Sequence, residues 1–277
     1  MDKIPKKEKI IYELRKHKND VIFWSISLAI ILIILIFICE KEFSLYFVLS
    51  SMSQTLSFII IILRVTKYQS CSGISINFLI CYIIMLCSRL VTNIFSSRDI
   101  DVDIINSIFL YISQFISLII CFYLLYLIYC IYPETSDRIL DNRTPFYFIL
   151  IPTFISAILF KPYVFRNWFF DLIFIYSIIL ESVAIYPQII LFTFKKGEIE
   201  TYTSNFIAFQ GLSTIFLLIF WYKNYEIIND RKSLLLGEYA GYAVICSQIL
   251  QLVIMGYYFY LYFKSIMQRR KRKKFDI

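Results

Sequence analysis

The chain has 277 residues, of which 59% are hydrophobic, 19% aromatic and only 17% charged, with a net charge of +8 and a mean hydropathy of +0.70. Soluble domains usually carry about 25% charged residues, so this composition excludes a water-soluble globular fold. The apolar runs are continuous and do not alternate in polarity, which excludes a membrane β-barrel.

A helix of about 20 apolar residues crosses about 30 Å of hydrocarbon. Taken in chain order, the candidate spans are roughly 21–39, 43–63, 74–95, 104–132, 145–160, 168–194, 203–222 and 236–263. The first follows a basic N-terminal segment and is followed by Glu40-Lys41-Glu42. Its apolar run exceeds the usual 7–15 residues of a signal-peptide core, so a retained helix is expected rather than a cleaved one. Three regions result: 1–42, a basic segment plus an extra helix; 43–264, the core; and 265–277, a basic tail. Lys and Arg gather in residues 1–20, at Arg64 and Lys67, at Arg138 and Arg143, at Lys195 and Lys196, and from Arg269 to Lys274. All these segments fall on one side of the membrane, which assigns that side and both chain ends to the cytosol. The Asn142-Arg143-Thr144 sequon then lies on the cytosolic side and is expected to stay unglycosylated.

The second span enters the loop RVTKYQSCSGIS, and KKGEIETYT joins two later spans in the same way. The likeness fits two repeated three-helix units joined by a linker helix at 145–160; it equally fits two ordinary basic hairpins. The seven cysteines are scattered without metal spacing and read as small buried hydrophobes. No nucleophile–base pair, Gly-rich phosphate loop or metal cluster is visible, so the expectation is no enzyme, no cofactor, no metal and no nucleic acid.

Polar residues inside the spans carry the information. Arg89, in LCSRL, either faces a cavity or partner or snorkels to the interface. Glu181, in ILESVAIYPQIIL, lies near mid-membrane, where an acid needs a cation or a proton. Asp171 sits closer to the span's end and reads equally as interfacial. Pro187 removes a backbone donor and frees a carbonyl one turn back, and Gln188 could bridge that broken ladder, so the pair reads as a hinge. A fitting arrangement sets Arg89 and Glu181 across a cavity open to the side opposite the cytosol. Trp221-Tyr222 reads first as interfacial belt. The tail QRRKRKKFDI is a solvated basic run that can touch anionic lipid; Lys273 and Lys274 only loosely fit a dilysine retrieval signal.

Taken together and in order, RVTKYQSCSGIS, LCSRL, IILESVAIYPQI and KKGEIETYT resemble the ER lumen protein retaining receptors, the KDEL receptor family. The resemblance runs from about residue 43 to the tail. It implies an all-α, seven-helix core similar to SWEET and PQ-loop transporters: two three-helix bundles plus a linker helix, here with one extra N-terminal helix. It also implies capture of luminal proteins through KDEL-like C-terminal tails in the acidic cis-Golgi, and return to the endoplasmic reticulum with coat proteins engaging the cytosolic tail. By residue, Arg89 matches the arginine that clamps the tail's terminal carboxylate, and Glu181 the buried acid coupled to protonation. Asp171 stands where the family has a glutamate that helps read the tail, Ser96 falls on a serine near the same site, and Trp221 matches a tryptophan in the penultimate helix.

Several positions depart from the family pattern. A first-helix arginine falls on Phe47, the pH-sensing histidine on Gln54, and an aspartate after the clamp arginine on Thr92. A Tyr-Arg pair becomes Ser213-Thr214, and a later Asn and Arg become Phe220 and Asn224. The expectation is a retrieval receptor with altered or weakened tail preference and a pH response carried by carboxylates; the alternative is a small-solute transporter on the same scaffold.

Overall fold

The computed structural model describes residues 44–96, 104–165, 167–194, 201–229 and 236–275. The chain divides into two compact units, Met1–Leu45 and Tyr46–Ile277. The expected first span at 21–39 lies outside the described residues. Among those described, the regular structure is all helical, with no strand. In order come α1 (Ser44–Tyr68), α2 (Ile76–Ser96), α3 (Ile104–Tyr126), α4 (Arg138–Asp141), α5 (Tyr147–Leu159), α6 (Trp168–Ala184), α7 (Tyr186–Phe194), α8 (Thr201–Ile228) and α9 (Ala240–Phe275).

Six stretches among the described residues are long and apolar enough to cross a membrane: Leu45–Tyr68, Ile76–Ile94, Asn106–Ile131, Trp168–Phe194, Asn205–Glu226 and Gly237–Leu261. The segment expected at 145–160 forms α5, apolar but only 13 residues long with Pro152 inside it. At 1.5 Å per residue it covers about 20 Å, short of the hydrocarbon thickness.

α1 is the central helix. Some 67% of its apolar window is buried within the protein, against 39% for α3 and 33% for α9, whose remaining surfaces face outward. Between helices in lipid, apolar contact gains little over apolar lipid, so small residues and interhelical hydrogen bonds supply the specificity. The stretch SSMSQTLS on α1 does this. Ser51 and Ser113 share a hydroxyl bond, as do Thr55 and Ser117, tying α1 to α3. Ser213 of α8 donates to the Ser50 carbonyl at 2.8 Å. Phe58 of α1 packs among Phe78 and Tyr82 of α2 and Phe206 of α8. Around this axis α2 packs on α3 and α6, α5 on α6, and α9 on α6 and α8. At the α8–α9 hairpin, Gly241 donates to Asn229 Oδ1, and a Cβ there would collide with the Tyr225 carbonyl.

The end bearing the α1–α2 loop is tied by carboxylates. Gly73 has φ 82°, a left-handed conformation that glycine adopts without strain, and its N–H donates to Asp137 Oδ2 at 2.7 Å. Asp141, 3% exposed, accepts from the Ser75 hydroxyl and from the Ile76 and Asn77 N–H groups. An acid from α4 thereby caps the N-terminus of α2, satisfying donors that a helix start leaves open and meeting the positive end of its dipole. Replacing Asp141 by alanine is expected to cost about 2–4 kcal/mol, a lost cap plus lost charge-assisted bonds. Thermal unfolding of the purified protein reads this; an unchanged midpoint would remove the cap from the stability argument.

The described cysteines are free thiols; Cys71, Cys81 and Cys121 are buried as the small-hydrophobe reading expects, Cys87 is half-buried, and Cys130 and Cys246 are exposed. In the loop, burial pushes the Cys71 thiol up to about 11, with the nearby Arg64 guanidinium pulling the other way.

Candidate functional site

Arg89 and Glu181 meet in the interior. The Arg89 guanidinium donates through Nη2 to Glu181 Oε2 at 2.5 Å, and the two side chains are 6% and 2% exposed. Arg89 therefore does not snorkel: α2 aims it at α6. Gln54 of α1 donates through Nε2 to the other carboxylate oxygen, Oε1, at 3.0 Å. Three helices thus converge on one acid, from α1, α2 and α6. A buried pair of this kind is weak evidence of stability, because desolvation offsets much of the attraction. What it provides is a fixed geometry.

Aromatic rings wall one side of the arginine. Its guanidinium carbon stands 5.9 Å from the Phe47 ring centre, within cation–π range. Phe47 stacks on Phe220 at 5.0 Å and meets Trp221 edge-on at 6.5 Å. Trp221 also contacts Phe174 at 6.0 Å, and it belongs to the core shared by α5, α6, α8 and α9. Trp221 is thus joined through Phe47 to Arg89 and packs inside the protein rather than in an interfacial belt.

Asp171, fully buried in the first turn of α6, accepts through Oδ1 from the Val164 and Phe165 N–H groups at 2.9 and 2.7 Å. Its carboxylate holds the preceding loop, where a role in reading a tail was expected. Ser96 ends α2, but its side chain lies outside the described residues; so do those of Lys273 and Lys274, whose backbone continues the α9 helix.

The helix break falls at Ile185, two residues before Pro187, because Pro187 lacks the N–H that the Val183 carbonyl needs. The Ile185 N–H takes that carbonyl. Gln188 consequently does not bridge the broken ladder, as its position had suggested. It reaches across to the α1–α2 loop, accepting from Ser75 N–H at 2.9 Å and donating to the Gly73 carbonyl at 2.7 Å. A small recess lined by Arg64, Gly73, Ile74 and Gln188 adjoins this contact, at the opposite end from the aromatic wall.

Gln54 as a direct partner of Glu181 was missed from sequence. The available signal was SSMSQTLS itself, whose polar residues recur too densely for a lipid-facing helix.

A sequence profile of the ER lumen protein retaining receptors matches residues 70–224, more than half of the chain and both members of the Arg89–Glu181 pair. The chain belongs to the ER lumen protein retaining receptor family. The ER lumen protein-retaining receptor of Dictyostelium discoideum is 28% identical over 232 residues, covering 82% of this chain and 97% of its own. Receptor 3 of Mus musculus is 26% identical over 231 residues, covering 81% and 94%. The Caenorhabditis elegans receptor erd-2.1 is 25% identical over 228 residues, covering 80% and 94%. The family is one of retention receptors and not of enzymes, and its apolar helices make this member a multi-pass membrane protein of the ER–Golgi system. The low identities mark it as a divergent receptor.

Proposed function

We propose that this protein captures the C-terminal tails of luminal proteins at low pH and returns them to the endoplasmic reticulum, with Arg89 taking the tail's terminal carboxylate. The observation that carries the reading is the buried Arg89–Glu181 pair. In the described state Glu181 occupies the guanidinium that a ligand carboxylate would need. A proton on Glu181 removes the competing charge and frees the bidentate fork for an incoming carboxylate. The tail and the internal acid compete for one cation, and acid conditions favour the tail. His17, the sole histidine in the sequence, lies in the N-terminal segment, so the core response runs through a carboxylate in place of an imidazole.

The aromatic wall supports an altered tail preference. Phe47, Phe220 and Trp221 offer rings to the residues upstream of the carboxylate, and rings do not compensate acidic side chains. A tail rich in acids loses cationic partners there, at a cost of several kcal/mol for each buried charge left unpaired. Lys273 and Lys274 on the extended α9 helix would serve as the retrieval signal that coat proteins engage. Solute transport, the alternative from sequence, gains no support from the relatives.

Binding of fluorescent tail peptides to the purified full chain tests this at pH about 5.4 and about 7.4, on either side of an imidazole's range. A KDEL-like tail, a version with its acids replaced by phenylalanine and a C-terminally amidated control form the panel. Free-carboxylate tails are expected to bind at least tenfold tighter in acid, with the less acidic tail preferred. Equal affinity for the amidated control would sink the reading.

A further inference from the structure

Tyr82 lies on α2, seven residues before Arg89 and hence on the same face two turns away. It is fully buried, and its hydroxyl makes no hydrogen bond of good geometry, the nearby Gln54 amide being given to Glu181. The ring is held by Phe78 at 4.6 Å and by Phe58, edge-on, at 5.3 Å. The hydroxyl's surroundings are the same groups that form the ion-pair site: Gln54 from α1, Glu181 from α6 and Arg89 from its own helix, with the Cys121 thiol from α3 the further titratable neighbour.

A buried hydroxyl left unsatisfied is costly, and each instance in a folded protein calls for a cause. Phenylalanine would keep both ring contacts without that penalty. Packing therefore does not account for the oxygen. If a tail carboxylate takes Arg89, as proposed above, Glu181 loses its cation and requires another partner in a site shielded from water. A phenol can both donate and accept, so it can pair with a carboxylate or with a neutral acid.

We propose that Tyr82 is the second seat for Glu181: its hydroxyl bonds the acid displaced from Arg89 when a tail binds. This rests on the receptor reading and assigns Tyr82 as a positioning residue of the same site, stabilising the occupied state and leaving the empty one with an unused oxygen.

The test is Tyr82→Phe in the full-length protein, read by tail-peptide affinity at pH about 5.4 and by thermal unfolding without peptide. The expected result is affinity weakened about five- to tenfold while the empty protein unfolds at the same temperature or higher, because an unsatisfied group has been removed. A purely structural tyrosine would move the unfolding temperature and leave affinity alone; unchanged affinity overturns the assignment. A second measurement combines Tyr82→Phe with Glu181→Gln. The two effects on affinity are expected to be non-additive, as for groups in one network, and strict additivity also overturns it. Absence of tail binding by the unaltered protein would overturn the receptor reading itself, and Tyr82's assignment with it. Binding by the unaltered protein with no change in Tyr82→Phe overturns this inference alone.

Discussion

Replacing Arg89 by alanine is expected to abolish tail-peptide binding and to destabilise the empty protein at neutral pH by about 3–5 kcal/mol, the cost of breaking a buried ion pair from one side. The geometry gives the reason: Glu181 is 2% exposed, and its Oε2 is paired to Arg89 while Gln54 bonds the other oxygen. Without the guanidinium, one carboxylate oxygen keeps a neutral amide and the other loses its cation inside a low-dielectric interior. Thermal unfolding of the variant at neutral pH reads the deficit; an unchanged midpoint would remove the pair from the stability argument. Peptide affinity equal to that of the unaltered chain would remove Arg89 from the binding site.

The second large effect concerns Glu181, the proposed competitor for Arg89. Glu181→Gln keeps the side chain's shape and an acceptor oxygen for Arg89 or Gln54, but it deletes the negative charge. Tail affinity at neutral pH is expected to rise to its acid value, a gain of tenfold or more, or about 1.4 kcal/mol and upward. The difference between pH about 5.4 and about 7.4 should collapse to within roughly twofold. The empty variant is expected to unfold at a lower temperature, since Arg89 is then the uncompensated buried charge. A tail peptide should therefore raise its unfolding temperature more than it does for the unaltered protein, as a ligand that binds only the folded state must. Retention of the full pH difference in Glu181→Gln would transfer the proton-sensing role to another group.

The polar residues singled out from sequence were informative to different degrees. Arg89 and Glu181 were legible because charges inside apolar spans are costly, and each implies a partner. That the two partner each other was legible only as an expectation, since they lie on different helices and 92 residues apart. Pro187 announced a helix break, because a missing N–H is a covalent fact. The acceptor chosen by Gln188 was not announced: a side-chain amide bonds whatever the fold brings near, here the Gly73–Ser75 loop. Asp171 shows the same ambiguity, since a carboxylate serves equally as ligand contact or as a loop anchor, and its surroundings decide. Tyr82 gave no signal at all among 22 tyrosines, for nothing local distinguishes a phenol with a bonded hydroxyl from one without.

By itself the sequence determined the solvent, the helical class and the chemical types available to the site. Hydropathy, the backbone's need to satisfy its own hydrogen bonds in lipid and the cost of buried charge are properties of composition and short spacing. Only the tertiary structure decided which groups meet: that Arg89 is occupied by Glu181, that Gln54 completes the pair, that rings flank it, and that an idle hydroxyl lies beside it. Those are contacts between residues far apart in the chain. Their free energies depend on distance, burial and orientation, none of which one-dimensional order specifies.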